Sequence, residues 1–317
     1  MLPWQSNNYI QCIYSTCKPD SRILLSMHYW QSEQINPVEL LTAELPAGYR
    51  LDVEGSTAEQ LTVLDDFDWS IWHSGGLLIR YGERDLQLSR GDDLFVASSV
   101  APGCRFWWEL PDGPLATALR GMIAVRAFVP KYACHIETVS AVIRNEDEKI
   151  VLRLQGLTLQ GEQPLVLHLL ELEPLRGYES EYEALVPLLA AAGMQAADSS
   201  GLRRLLPQLG MNIHRVEGKP VFGLDPLEPA EAAVLRMTGA LLDLAGQHEQ
   251  GLLDDIDTEF VHQYRVCIRK ARSLLSLFKK CLAPERYGRL KVALKEIGAA
   301  TNMLRDLDVF LLEHDYY

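Results

Sequence analysis

No apolar run in the 317-residue sequence approaches the roughly 20 residues that a membrane-spanning helix needs. The first 27 residues also lack the basic start, apolar middle and small-residue cleavage site of a secretory signal. Residues 1–28 are therefore expected to form a poorly ordered leader, and the protein is expected to be cytoplasmic with no membrane partner. Cysteine is sparse: Cys12, Cys17, Cys104, Cys134, Cys267 and Cys281 are scattered without the dense spacing of a disulfide framework. No second Cys or His pair completes a zinc site beside Cys12 and Cys17. Free thiols are the expectation. The motifs GxxxxGKS/T, GxGxxG and GxSxG are missing, which removes the common nucleotide and hydrolase readings. His28, His73, His135, His168, His214, His248 and His314 form no HExxH pattern. No cofactor and no metal is implied by these patterns.

What is present is a chain of soluble composition, 48% hydrophobic and 23% charged, long enough for about two domains. From Ala47 to Glu173 the short segments YRLDVE, EQLTVLDDF, GLLIRYGE, RDLQLSR, VSAVIRN, KIVLRLQG and PLVLHLLELE read as strands separated by Gly, Asp, Asn and Pro. Arg80 and Arg153 alternate with apolar neighbours, so one sheet face is polar and the other apolar. YESEYEALVPLLAAAG and SGLRRLLPQLG read as helices, with Pro187 a kink in the first. Segment 211–229, with three prolines and two glycines, is the expected linker. Everything beyond it has helical spacing. The fold class is α+β: an antiparallel, β-rich domain over 29–210 and a helical bundle over 230–317. Asp257 or Thr258 is the expected N-cap of DTEFVHQYRVCIRKARSLLSLFKK, and Pro284 suits a first helical turn.

Charge divides along the same boundary. Residues 262–305 hold eleven Lys and Arg against two Glu, a local +9 that leaves −22 on the rest of a chain whose formal total is −13. At about 100° per residue, His262, Arg265, Arg269, Arg272, Ser276, Lys279 and Lys280 share a stripe about 100° wide, with Lys270 at its margin. Tyr264, Cys267, Ala271, Leu274, Leu275 and Phe278 occupy the opposite, core-facing side. In the next segment Lys291 and Lys295 are four apart, and Gly298, Asn302 and Arg305 continue their line if the helix persists. Two solvated amphipathic helices would be the plain reading of such a pattern. Solvated helices, however, interleave acids at i+4 to offset repulsion, and residues 260–284 contain none. An anionic partner is the economical explanation. Arg presents a fork matched to phosphate oxygens, and Lys adds a mobile point charge.

These residues resemble a known family. VHQYRVCIRKARSLLSLFKK with TNMLRDLDVFLL is similar to the CHAD family, the conserved-histidine α-helical domain. His262, Arg265, Arg269, Lys270 and Arg272 match its first motif, and Lys291, Lys295, Arg305, Asp306 and Asp308 its second. The resemblance implies binding of inorganic polyphosphate through this basic surface, with Lys279 and Lys280 contributing, and localisation to polyphosphate granules. It covers about 229–317, roughly half the usual pair of helical bundles. Either the chain is cut short or a half domain completes itself as a homo-oligomer. Asp306 and Asp308 are read as caps or partners of Arg305, with a metal as the alternative.

Region 29–210 resembles a divergent CYTH domain, the triphosphate tunnel fold, through LTVLDDFDWSIWHSGGLLIRYGERDLQLSR, VSAVIRNEDEKIVLRLQ and GYESEYEALVPLLAAAG. That resemblance implies a metal-dependent tri- or polyphosphate hydrolase as the alternative function. The family's first strand carries E-x-E-x-K, whereas YRLDVEGST supplies only Asp52 and Glu54. Catalysis is therefore not expected, and Arg80, Arg90, Arg144, Lys149 and Arg153 are expected to serve at most as a secondary anion-binding set. Nucleic acid is disfavoured, because the basic stripe lacks interleaved surface aromatics and the whole chain is acidic.

Overall fold

The computed structural model describes residues 28–83, 85–91, 93–162, 164–213, 220 and 222–313. The expected leader lies outside the described residues except for His28, which begins the first strand, and the expected linker lies outside them at 214–219 and 221. Nine strands form one antiparallel sheet: β1 (His28–Ser32), β2 (Arg50–Asp65), β3 (Gly76–Tyr81), β4 (Asp85–Arg90), β5 (Asp93–Ala97), β6 (Val129–Arg144), β7 (Ile150–Gln160), β8 (Val166–Pro174) and β9 (Gln195–Ala197). Their order is β5-β4-β3-β2-β6-β7-β8-β1-β9. Among the described residues, α1 (Pro37–Glu44), α2 (Ser70–His73), α3 (Pro114–Ile123), α4 (Glu179–Ala191) and α5 (Gly201–Leu205) accompany the sheet. The helices α6 (Ala230–Leu253), α7 (Thr258–Leu277), α8 (Pro284–Ala300) and α9 (Asn302–Glu313) follow it. The class is α+β, as the strand-then-helix pattern implies.

The chain divides into two compact units. The first takes the described residues up to Ala58, with Glu137–Leu159 and Val166–Gly201. Trp30, Leu41, Ile143, Leu152, Leu170, Leu172, Leu185 and Leu189 make its core, which α1 and α4 cover. Asn36 starts α1 by accepting hydrogen bonds from Val38 N at 3.0 Å and Glu39 N at 3.3 Å, with Pro37 in the first turn. Close approach of α1 requires Gly156, where any Cβ would collide with Val38 Cγ2.

The second unit takes Glu59–Ile136, Gln160–Leu165 and residues 202–313 of the described chain. It holds two cores. Leu64, Ile71, Leu78, Leu88, Leu115, Leu119 and Phe128 pack α3 onto strands β3 and β4. Val234, Met237, Leu241, Cys267, Ile268, Ala271, Leu275, Leu282 and Leu294 form the core of the helical bundle. Between these cores lies Arg126, only 7% exposed. Its Nη1 donates to Asp257 Oδ1 at 3.2 Å and its Nη2 to Asp68 Oδ2 at 2.8 Å. Asp257 is also the N-cap of α7, accepting from Glu259 N at 3.0 Å and Phe260 N at 3.3 Å, and it takes a further bond from Ala127 N at 3.1 Å. Phe67 meets Phe260 at 4.9 Å and His248 at 5.1 Å between ring centroids.

Several elements differ from expectation. YRLDVE and EQLTVLDDF are one 16-residue strand, β2, because EGSTAEQ is extended yet exposed and burial begins only at Leu61. β1, β5, β9, α1, α2 and α3 lay outside the expected elements. β1 is five residues of half-buried HYWQS, too short and too mixed to show a period. In α3 the signal was present: Pro114 at the start and Leu115, Leu119 and Ile123 at spacing four. YRLDVEGST is the second strand of the structure, and neither β1 nor β2 carries E-x-E-x-K.

Replacing Arg126 by Leu strands the buried Asp257 carboxylate and loosens the α7 cap. We expect a loss of about 3 kcal/mol in urea unfolding, the usual scale for breaking one side of a buried pair. Arg50→Ala, which removes the exposed pairs with Asp52 and Glu148, should leave the midpoint unchanged.

Candidate anion-binding site

Helix α7 is anchored at its start by the Asp257 cap and along its length by Cys267, Ile268, Ala271 and Leu275, all buried. Ile268 thus joins the core side assigned from the wheel, whereas Phe278, assigned to that side, is 37% exposed. On the other side His262 and Arg265 are half-buried, and Arg269, Lys270 and Arg272 are exposed. The helix ends at Leu277, earlier than expected. Leu282, buried in the bundle core, draws the chain inward before Pro284, so Lys279 and Lys280 sit in a 3₁₀ turn rather than on the stripe. Lys291 and Lys295 are exposed on α8, with Lys291 Nζ 5.8 Å from the Tyr287 ring centroid.

Two arginines of α7 reach across to one point on α8. Arg265 Nη1 donates to Gly298 O at 3.1 Å, to Thr301 Oγ1 at 2.9 Å and to Asn302 Oδ1 at 2.9 Å. Arg272 Nη1 lies 3.4 Å from where a Cβ on Gly298 would stand. Both arginines thus meet α8 at Gly298, seven residues after Lys291 and three after Lys295. The line through Asn302 to Arg305 is not one helix, since α8 stops at Ala300 and α9 begins at Asn302. Arg305 is half-buried, and its positive charge favours the ionised form of Asp308, against the larger opposing effect of burial. Asp308 is 7% exposed with Oδ2 unpartnered, and burial pushes its carboxyl up; Asp306 is exposed. Near the bundle Arg236 pairs with Glu228 at 2.8 Å and Arg286 with Glu231 at 2.7 Å. Among the described residues, Arg269, Lys270, Arg272, Lys279, Lys280, Lys291 and Lys295 carry no ion pair.

The secondary set divides between the two units. Arg80 and Arg90 belong to the second unit, and Arg144, Lys149 and Arg153 to the first. Arg144 donates to Asp52 Oδ2 at 3.0 Å and to Glu148 O at 2.9 Å, and Lys149 lies 3.5 Å from Asp147. The divalent metal that the tunnel-fold resemblance implies does not fit the residues proposed for it. Asp52 is bonded by Arg50 at 2.8 Å as well as by Arg144, and the Arg50 hydrogen bond holds its carboxyl below the usual range. Glu54 is exposed, and no group of three metal-ligating side chains gathers among the described residues.

Sequence reasoning passed over Glu171. It faces Tyr29 across the β1–β8 ladder, and burial pushes its carboxyl up to about 7. The signal was LHLLELEP, where an acid falls inside an apolar run. It also passed over the Arg126 network, whose acids and base are far apart in sequence.

The chain is thus an α+β protein whose helices α7 and α8 expose several Lys and Arg that carry no ion pair among the described residues. Residues 236–317 match the family model of the CHAD domain. Solved structures of three proteins resemble the rest in part. A Hippeastrum protein described as an adenylyl cyclase with a dominant triphosphatase activity is 14% identical, with a TM-score of 0.41 over 59% of this chain and 96% of that one. A Bacillus halodurans protein described as an adenylate cyclase is 14% identical, with a TM-score of 0.37 over 56% and 95%. A Vibrio parahaemolyticus protein, also described as an adenylate cyclase, is 8% identical, with a TM-score of 0.27 over 53% and 86%. No curated protein matches the chain.

Because the folded carboxyl of Glu171 titrates near 7 rather than near 4.5, the folded state binds the extra proton between those values. Stability contributed by Glu171 is therefore present at low pH and lost as pH rises through about 7. Glu171→Gln removes this dependence. In urea melts the variant should gain on the parent between pH 5 and pH 8, and a constant difference would show that Glu171 is not held protonated.

Proposed function

We propose that the C-terminal helices bind inorganic polyphosphate through Arg269, Lys270, Arg272, Lys291 and Lys295, with His262, Lys279, Lys280 and Arg305 at the margins. The observation that carries the reading is the set of exposed cations on α7 and α8, two helices packed on one core, that have no acid partner among the described residues. Like charges on neighbouring helices repel, and an anion that binds several of them removes that repulsion and releases counterions. A flexible chain of phosphates fits such a row better than one compact anion, because it can follow several cations in turn. The CHAD match over 236–317 supports the same reading. Binding of this kind would bring the protein to polyphosphate granules, and pairing of two copies would double the cationic surface. Nothing specific favours the hydrolase alternative, since Asp52 is already neutralised by Arg50 and Arg144.

The test is a polyphosphate titration at several salt concentrations. Reversing Arg269 and Arg272 to Glu should weaken binding about 100-fold or more at low salt, given roughly 1.5–3 kcal/mol per hydrogen bond to a charged group. The slope of log affinity against log salt should flatten by about 0.7 for each phosphate that is no longer neutralised. Arg80→Ala and Arg153→Ala should change neither. If those two abolish binding and the helix reversals do not, the sheet region is the receptor. Phosphate release from tripolyphosphate with Mg²⁺ or Mn²⁺ should stay at background; release that Asp52→Asn abolishes would establish the hydrolase instead.

A further inference from the structure

Arg265 stands in the basic row but is spent differently from its neighbours, and we infer that it is a positioning residue that sets α9, and with it Arg305, against the row. The inference rests on the polyphosphate reading. All three of its hydrogen bonds come from one nitrogen, Nη1, and all three acceptors lie at the junction of α8 and α9. Gly298 O belongs to the last turn of α8, where carbonyls have no intrahelical partner and the helix dipole favours a cation. Thr301 is the residue at which α8 stops, and its carbonyl accepts Arg305 N at 3.2 Å as α9 begins. Asn302 is the first residue of α9. One guanidinium therefore closes the end of one helix and fixes the start of the next. The Thr301 hydroxyl ties the corner again by donating to Gly298 O at 3.3 Å.

The consequence falls on Arg305, one turn into α9. A break such as that at Thr301 leaves the direction of the following helix open unless side chains fix it. Asp308, one turn further on, is buried, so α9 lies with this side inward. A small rotation of α9 would change the direction in which Arg305 points without altering any charge on the row. A direct phosphate ligand would show the reverse economy: its guanidinium would be free, as those of Arg269 and Arg272 are among the described residues, and removing neutral neighbours would not matter to it.

Thr301→Ala with Asn302→Ala separates the two roles, because it removes two of the three acceptors and leaves every charge in place. We expect polyphosphate affinity to drop about ten-fold, the scale of a single charge-assisted hydrogen bond. The salt slope should fall by about 0.7, and Arg305→Ala should cost nothing further in that background. Arg265→Lys, which keeps the charge but not the fork, should behave like the double variant. Amide hydrogen exchange over 302–308, measured without polyphosphate, should accelerate in both. Should the double variant hold its affinity and slope while Arg305→Ala still costs its full amount, Arg265 is a ligand and the inference fails while the polyphosphate reading stands. A parent protein that does not bind polyphosphate at all overturns both.

Discussion

A single buried guanidinium ties the second unit together. Arg126 is buried, yet its charge is met on both sides, by Asp68 from the loop after β2 and by Asp257 at the start of α7. Burying such a group is expensive unless its partners are well placed, and the net gain over an apolar packing is small. What the arrangement supplies is register. Asp257 serves at once as helix cap, as partner of Arg126 and as acceptor of Ala127 N, so α7 can start at only one residue. From that origin the 3.6-residue repeat decides which side chains of α7 point outward. The packing of Phe67 against Phe260 and His248 completes the fit, and Gly251 permits it, since any Cβ there would overlap the Phe260 ring.

The cationic face presents the opposite economy. Its charges are exposed and separated, so each repulsion is weak in water, but they add along two helices with no intervening acid on α7 beyond its first turn. The remainder of the chain carries −22 once the +9 of residues 262–305 is set apart. Diffuse acids elsewhere repel polyanions, so the local row is the one region of net positive charge that the sequence sets apart.

The reading from sequence was good where period and charge agree. The α+β order and the outward placement of Arg269 and Arg272 follow from side-chain spacing, while residue type gives the start of α8 at Pro284 and narrows the α7 cap to Asp257 or Thr258, of which Asp257 is the cap. It was poor where long-range packing decides. The early end of α7 depends on Leu282 being pulled into the bundle, and the break at Thr301 on acceptors that Arg265 finds 33 to 37 residues away. Such pairings leave no periodic trace. The secondary arginines illustrate the same limit: alternation predicted which strand face they occupy, but not that they divide between two units or that Arg144 is already paired.

The position of β1 in the sheet bears on how the protein is made. Its five residues pair with Leu172 to His168 on one side, and the central three, Tyr29 to Gln31, pair with Ala197 to Gln195 on the other. A ribosome delivers residues 28–32 well over 100 residues before either partner exists. Until then HYWQS is an unpaired strand with two open edges, the kind of segment that joins wrong neighbours. Its mixed polarity and shortness reduce that hazard. Closing so long a loop also makes insertion of β1 a late, entropically costly step, so the sheet around β8 and β9 is completed by the oldest part of the described chain rather than the newest.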